Sequence, residues 1–266
     1  MTSDPEDCLP PADADQALLG ALDGPMSEIP VLETHSLEKR FGGLRAVAGV
    51  DFRIQRGELR CLIGPNGAGK STFFKLITGQ LPATSGHITF EGREITDEPP
   101  HMIGRLGIGI KNQVPSVFEG LSVEENLWLA ARRRYSGRRT RAAVAEVVER
   151  LSLGKVMRQT VARLAHGTRQ WVDIGMVISQ GPKLLLLDEP TAGMAVEEIE
   201  RTVSLIRDLN SAASIIVVEH DMQFIRKLNS LVTVFHQGRV IAEDIMENVQ
   251  RDPRVREVYL GGSLHA

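Results

Sequence analysis

The stretch that most constrains this chain is "GPNGAGKST", Gly64 to Thr72, lodged between the apolar runs "LRCLI" and "FFKLI". The spacing Gly-x-x-x-x-Gly-Lys-Ser is that of a phosphate-cradling loop. In such a loop successive backbone N–H groups form an anion nest, and the following helix adds the positive end of its dipole. Without a Cβ at Gly64, Gly67 and Gly69, the backbone can close tightly round an anion. Pro65, Asn66 and Ala68 fill the turn, and Thr72 completes the run. Lys70 would set a point charge on the β- and γ-phosphates of a nucleotide, and Ser71 would offer its hydroxyl to Mg2+. An ordinary Gly-rich turn before a helix can have the same letters, so the rest of the chain must separate the two readings.

The second half of such a site comes from "KLLLLDEP", an apolar strand that carries Asp188 and Glu189 to its C-terminal end. Open α/β sheets gather their ligands at that edge. Neighbouring strand residues point to opposite faces, so the two acids can take separate roles. Asp188 would hold the Mg2+ shell and Glu189 would polarise an attacking water. Standing alone, two acids ending a strand are an ordinary solvated strand end; the phosphate loop gives the pair a chemistry. His220 follows a second buried strand, "SIIVVE". It reads either as a cap for the next helix or as a partner of the γ-phosphate that fixes the water. Gln113 follows the short run "GIGIK" and either is a common strand-end glutamine or completes the Mg2+ and water shell.

The pattern of the whole chain predicts an α/β fold. Apolar strands alternating with helices ("LRCLIG", "KLLLLDEP", "SIIVVEHD") predict a parallel sheet covered on both faces. "VLETHSL" and "VAGVDFRI" alternate in polarity and predict antiparallel edge strands, and "LVTVFHQGRVIA" predicts a hairpin across Gln237–Gly238. The result is a mixed sheet with antiparallel edge strands over residues 29–263. A stretch without strand pattern, about residues 115–180, predicts an α-helical insertion subdomain, with one helix starting at the Gly167–Thr168 junction. Residues 1–28 hold seven acids and no Lys or Arg, and read as a disordered acidic leader. The net charge of the chain is −3, so the body is mildly basic.

Cys8 and Cys61 make no disulfide framework, which points to a reducing compartment. No basic n-region opens the chain, so a secretory signal is not expected. No apolar run nears the roughly 18 residues that span a bilayer, so any membrane role would come through partners.

With these residues in place, the chain resembles the nucleotide-binding subunit of an ATP-binding-cassette (ABC) transporter over most of its length. The family's phosphate loop, glutamine loop, Asp-Glu strand and switch histidine match Gly64–Thr72, Gln113, Asp188–Glu189 and His220. The resemblance implies a P-loop ATPase that binds ATP and Mg2+, with Ser71, Gln113 and Asp188 toward the metal and Glu189, His220 and Gln113 toward the water. An aromatic upstream of the loop stacks on adenine in this family, and Phe41 in "EKRFGG" fits; a core or edge phenylalanine is the plainer reading.

The family's signature, Leu-Ser-Gly-Gly-Gln, matches "LAHGT", that is Leu164, Ala165, His166, Gly167 and Thr168. The resemblance implies a head-to-tail dimer in which this segment faces ATP held by the other subunit. Ala165 lacks the hydroxyl that would reach the γ-phosphate, and Thr168 stands where glutamine is usual. Those departures imply a heterodimer with a second, different ATP-binding subunit and one slower ATP site.

Further implied partners are two transmembrane permease subunits, met through Gln113 to Glu119, and indirectly a solute-binding protein. The location would be peripheral, on the cytoplasmic face of the membrane. The segments "GELRCLIGPNGAGKST", "HGTRQWVDIGM" and "DPRVREVYLG" are similar to the urea-type members of the branched-chain amino acid transporter group. A branched-chain amino acid or amide importer remains the alternative cargo reading. A soluble ABC ATPase without membrane partners, and an ATP-dependent interaction protein that does not hydrolyse, are the rival classes. The arginines of "ARRRYSGRRTR" read as a solvated helix–turn, with anionic lipid headgroups as the sharper alternative. No aromatic platform accompanies them, so nucleic acid is not expected.

Overall fold

The structure, a computed structural model, describes residues 29–261; the leader expected over 1–28 lies outside them. In chain order the first elements are β1 (Leu32–Phe41), β2 (Leu44–Ile54), β3 (Leu59–Ile63), α1 (Lys70–Ile77), β4 (Ser85–Phe90), β5 (Arg93–Glu94), α2 (Pro100–Leu106) and β6 (Ile108–Lys111). A helical stretch follows, with α3 (Val123–Arg132), α4 (Arg138–Arg150) and α5 (His166–Ile178). The chain then runs through β7 (Leu184–Asp188), α6 (Val196–Asn210), β8 (Ser214–Val218), α7 (Met222–Leu228), β9 (Leu231–His236), β10 (Arg239–Ile245), α8 (Met246–Val249) and α9 (Pro253–Gly261).

The strands form two sheets. One is antiparallel, of order β2-β1-β4-β5, and the other has the order β10-β9-β3-β8-β7-β6. In the second sheet β3, β6, β7, β8 and β9 run parallel, and only the β9–β10 hairpin is antiparallel. The early alternating strands therefore build a sheet of their own rather than an edge of the parallel one. Their period-2 polarity suits a sheet with one wet face, whereas the parallel strands are apolar on both faces.

That apolarity splits by alternation into two cores. Cys61, Ile63, Leu185, Leu187, Ile215 and Val217 face the helices α3 to α7. Leu62, Leu184, Leu186, Ile216 and Val218 face α1 and the antiparallel sheet. Phe73 of α1 is fully buried between Phe52 of β2 and Phe235 of β9, with ring centroids 5.3 Å away in each case. Truncating such a side chain costs about 3–5 kcal/mol. The helix that opens with Lys70 is thus wedged between the sheets.

The segment between Gln113 and α3 is irregular but anchored. Asn126 of α3 is buried; its Oδ1 accepts from Phe118 N at 2.8 Å and its Nδ2 donates to Phe118 O at 3.0 Å. A capping box starts α3: Glu125 N donates to Ser122 Oγ, and Ser122 N donates to Glu125 Oε2. Helix α5 begins at His166, two residues before the predicted Thr168, because Ala165 takes the extended cap conformation. Within the arginine run, Arg132 lies 5.2 Å over the Trp128 ring and Arg134 Nη1 donates to Arg105 O at 2.6 Å.

Candidate active site

The phosphate loop spans the gap from the end of β3 to the start of α1, so the buried sheet aims it and the wedged helix closes it. Two close approaches make glycine obligatory. A Cβ on Gly64, at φ +147°, would lie 2.2 Å from Phe235 O, and one on Gly69, at φ +108°, would lie 2.3 Å from Ala46 O. Lys70 Nζ donates to the carbonyls of Gly64 and Pro65 at 2.7 and 3.1 Å, so the ammonium curls back over the loop. Burial holds the Lys70 pKa below the usual lysine value, against the pull of Glu189 and Asp188. Ser71 is exposed and Thr72 half-buried on the first turn of α1; Asn66 and Gly67 are exposed at the tip of the loop, beside half-buried Pro65 and buried Ala68.

The acids stand at the neighbouring strand end. Asp188 closes β7, and burial, reinforced by the charge of Glu189, raises its pKa above the usual carboxylate range. Glu189 is the first residue past the strand and sits at φ +45°, a left-handed conformation uncommon for a residue with a Cβ. Gln113 Nε2 donates to Glu189 Oε2 at 2.7 Å, and His220 Nδ1 lies 3.7 Å from Glu189 Oε1. His220 is 72% exposed at the tip of β8. The structure thus brings Gln113, Glu189 and His220 together beside Asp188 and Lys70.

This donor set fits Mg2+. Among the described residues no cluster of three or more His, Cys, Asp or Glu could hold a metal unaided. Mg2+ is commonly held by one or two carboxylates together with substrate phosphates and waters, so a single raised Asp188 beside a phosphate cradle suits it. Because Gln113 uses Nε2 toward Glu189, its carbonyl Oε1 is the atom left to ligate a cation.

The other predicted residues lie apart from this cluster. Phe41 is exposed at the turn between β1 and β2, with Lys39 Nζ 5.3 Å from its ring centroid. Leu164 is buried and Ala165 caps α5. His166 Nε2 lies 3.1 Å from Ala192 O, and buried Gly167 lies against the Glu198 carboxylate, where a Cβ would come within 2.2 Å. Thr168 is half-buried on the first turn. This segment therefore packs against residues 192–198, which follow Glu189 in the chain.

Sequence reasoning missed several residues that support the site. Glu219 is buried and accepts from Thr191 N and Thr191 Oγ1 at 3.1 and 2.6 Å, binding the His220 turn to the turn after Glu189. Tyr259 of α9, 37% exposed, lies beside the backbone of Gly64, and partial burial pushes its phenol up to about 12. Lys111 and Asp173 are buried. Only the "VVEHD" run, where an acid follows a buried strand, carried a sequence signal for any of these.

Comparison with known proteins follows this geometry. The sequence model of the family described as "ABC transporter" matches residues 47–192, and that described as "Branched-chain amino acid ATP-binding cassette transporter" matches residues 239–265. The chain is similar to a high-affinity branched-chain amino acid transport ATP-binding protein, BraF, of Pseudomonas aeruginosa: 32% identical over 250 residues, covering 87% of this chain and 98% of the relative. It is 33% identical to a probable branched-chain amino acid transport ATP-binding protein, LivG, of Archaeoglobus fulgidus over 248 residues, with 87% and 95% covered. It is also 36% identical over 235 residues to a ribose import ATP-binding protein of Rhizobium etli, spanning 46% of that longer relative. Among solved structures, an ATP-binding cassette of an ABC transporter in its ADP conformation superposes with a TM-score of 0.79 at 28% identity, covering 87% of this chain and 99% of that one.

Proposed function

This chain belongs to the ABC transporter family of ATPases, and on that premise we propose that it is the ATP-hydrolysing subunit of an importer for a small polar solute. The observation that carries the reading is the meeting of Gln113, Glu189 and His220 beside the phosphate loop.

In this reading the N–H groups of residues 64–72 and the Lys70 ammonium hold the β- and γ-phosphates of ATP, and Phe41 stacks on adenine. Ser71, Asp188 and Gln113 would hold Mg2+, which would neutralise part of the phosphate charge. Glu189 accepts a hydrogen bond from the attacking water and takes its proton as the water oxygen bonds to the γ-phosphorus. The bond to the ADP oxygen breaks, releasing ADP and phosphate. His220 donates to the γ-phosphate and keeps the water in line. Gln113 holds Glu189 in place until the phosphates arrive.

The signature segment, Leu164 to Thr168, faces ATP on a second ATP-binding subunit. Ala165 offers no hydroxyl there, and losing a charge-assisted hydrogen bond costs about 1.5–3 kcal/mol. The two ATP sites of a heterodimer would then differ in rate. Residues Gln113 to Glu119, with the helical subdomain they open (about residues 115–180), meet the permease subunits. Val114, Phe118, Trp128 and Leu129 are exposed there, and Leu121, Glu124, Glu125, Trp128 and Leu129 line a groove of about 480 Å³. No described helix is long and apolar enough to cross a membrane, which suits a peripheral subunit on the cytoplasmic face.

The named relatives favour a branched-chain amino acid as cargo. Urea is the second reading, favoured by the segments "ELRC" and "QWVDIGM". The test is uptake of labelled leucine and labelled urea into cells with and without this gene, with phosphate release measured on the assembled transporter. Loss of either uptake supports an importer and names its cargo. Unchanged uptake of both, with no phosphate release, rejects the proposal.

A further inference from the structure

We propose that Lys111 is a positioning residue for hydrolysis: its buried ammonium holds the backbone carbonyl of Glu189 and, with Asp173, ties helix α5 and the glutamine loop to the turn that aims the Glu189 carboxylate. The inference rests on Glu189 being the water-activating residue.

Lys111 ends β6, pairs with Leu187 of β7 and is 0% exposed. Removing an ammonium from water costs several kcal/mol unless its donors and charge are met. Its Nζ lies 3.4 Å from Glu189 O, a long but charge-assisted contact. Glu189 N in turn donates to Val218 O at 2.9 Å. Both backbone polar groups of this residue are therefore held, the N–H by β8 and the carbonyl by Lys111 together with Ala192 N, which donates to it at 3.3 Å. That matters because φ of +45° costs a residue with a Cβ about 1–2 kcal/mol and persists only where its surroundings enforce it. With that turn fixed, the side chain reaches Gln113.

Asp173 supplies the opposite charge. It lies on α5, two turns into the helix that opens with the signature, and is 3% exposed. Its Oδ1 accepts from Ser116 N at 3.2 Å, while Oδ2 has no hydrogen-bond partner. Burial lowers the Lys111 pKa, and the negative charges of Asp173, Asp188, Glu219 and Glu189 oppose that shift, Asp173 foremost. A buried carboxylate with a bare oxygen and a buried ammonium with one acceptor compensate each other across the space between α5 and β6. Asp173 thus ties α5 to Ser116 of the glutamine loop by a hydrogen bond and acts on Lys111 through its charge, without an ion pair within 4 Å, while Lys111 holds Glu189 O.

The test uses the full-length chain with its partner subunits, measuring kcat at saturating Mg-ATP and ATP affinity separately. Lys111→Met keeps the stem and removes the charge and donors; it is expected to lower kcat by roughly 10- to 100-fold, with ATP affinity within about twofold. Lys111→Gln, which restores a donor, is expected to recover part of that loss. Adding Asp173→Asn to Lys111→Met is expected to cost nothing further, because the two act as one unit. Normal kcat in Lys111→Met, a loss that only follows weakened ATP binding, no recovery in Lys111→Gln, or effects that multiply would each overturn the proposal. Should Lys111→Met fail to fold, Lys111→Gln and Asp173→Asn decide: reduced kcat in both supports it, normal kcat in either rejects it. Glu189→Gln run in parallel separates the two levels. If it retains turnover, the role of Glu189 falls and this inference with it; if it is inactive beside a normal Lys111→Met, only this inference falls.

Discussion

Gln113 and Glu189 lie 76 residues apart in sequence, and Gln113 Nε2 donates to Glu189 Oε2 at 2.7 Å. The contact joins the end of β6 to the end of β7, which are hydrogen-bonded neighbours in the parallel sheet. A glutamine that can ligate a cation through its carbonyl while holding a carboxylate through its amide links metal binding to the placement of the base.

Replacing Glu189 by glutamine keeps size and hydrogen bonding but removes the proton acceptor. Turnover is expected to fall about 10²- to 10⁴-fold, with Mg-ATP affinity nearly unchanged. Single-turnover phosphate release alongside an equilibrium binding titration checks this. Gln113→Ala is expected to lower turnover less and to raise the Mg2+ concentration needed for half-maximal rate.

Gly64 has no tolerance for a side chain. Its φ of +147° is a glycine conformation, and a Cβ would lie 2.2 Å from the backbone oxygen of Phe235. Gly64→Ala must move β9 or the loop, so it is expected to lose about 2 kcal/mol or more of stability. Nucleotide affinity is expected to fall at least tenfold, by about 1.4 kcal/mol. Thermal unfolding with and without Mg-ATP reports both effects; a variant with wild-type melting and binding would show that the loop is not held as described.

The strand cores and the phosphate loop were legible because each has a local cause. Apolar runs ending in Gly-rich or acidic segments need no distant information to be read, and the hairpin at Gln237–Gly238 has its turn residues in place. What escaped reading depends on contacts far apart in the chain. Lys111 looks like a solvated lysine at the end of "GIGIK"; only pairing with Leu187 and the cover of α5 bury it. The left-handed Glu189 is invisible in "LLLLDEP", since nothing local demands a positive φ there. Tyr259 reaches Gly64 across nearly 200 residues, which no local pattern in "DPRVREVYLG" announces. Alternation reports one wet face, not which sheet a strand joins, so the strands of the separate antiparallel sheet read as edge strands of the parallel one.

The Ala165–Thr168 departures predict unequal ATP sites. In the proposed heterodimer, Glu189→Gln in this chain would disable the site completed by the partner's signature. The equivalent change in the partner would disable the site completed by Ala165 to Thr168. The first is expected to lower transporter turnover severalfold more than the second. Equal losses, measured by steady-state phosphate release, would contradict the asymmetry.

Cys61 sits in β3, fully buried, with Ser230 Oγ donating to its Sγ at 3.2 Å. Burial pushes its thiol up from 9.0 to about 12. Because the folded value lies above the unfolded one, the thiol resists ionisation in the native state, and the stability this contributes is lost as pH rises from about 9 toward about 12. At pH 8 alkylation of Cys61 in the folded chain is expected to be about 10³-fold slower than in the unfolded chain. Peptide mass spectrometry after timed iodoacetamide treatment measures the ratio.

The proposed activity requires that nucleotide phosphates be held by the loop between β3 and α1, with Lys70 as its charge. Isothermal titration of the full-length chain with Mg-ATP tests this most directly. Saturable heat for the wild type, reduced at least tenfold in affinity by Lys70→Ala, is the expected result. No heat for the wild type, or the same heat with Lys70→Ala, would contradict it.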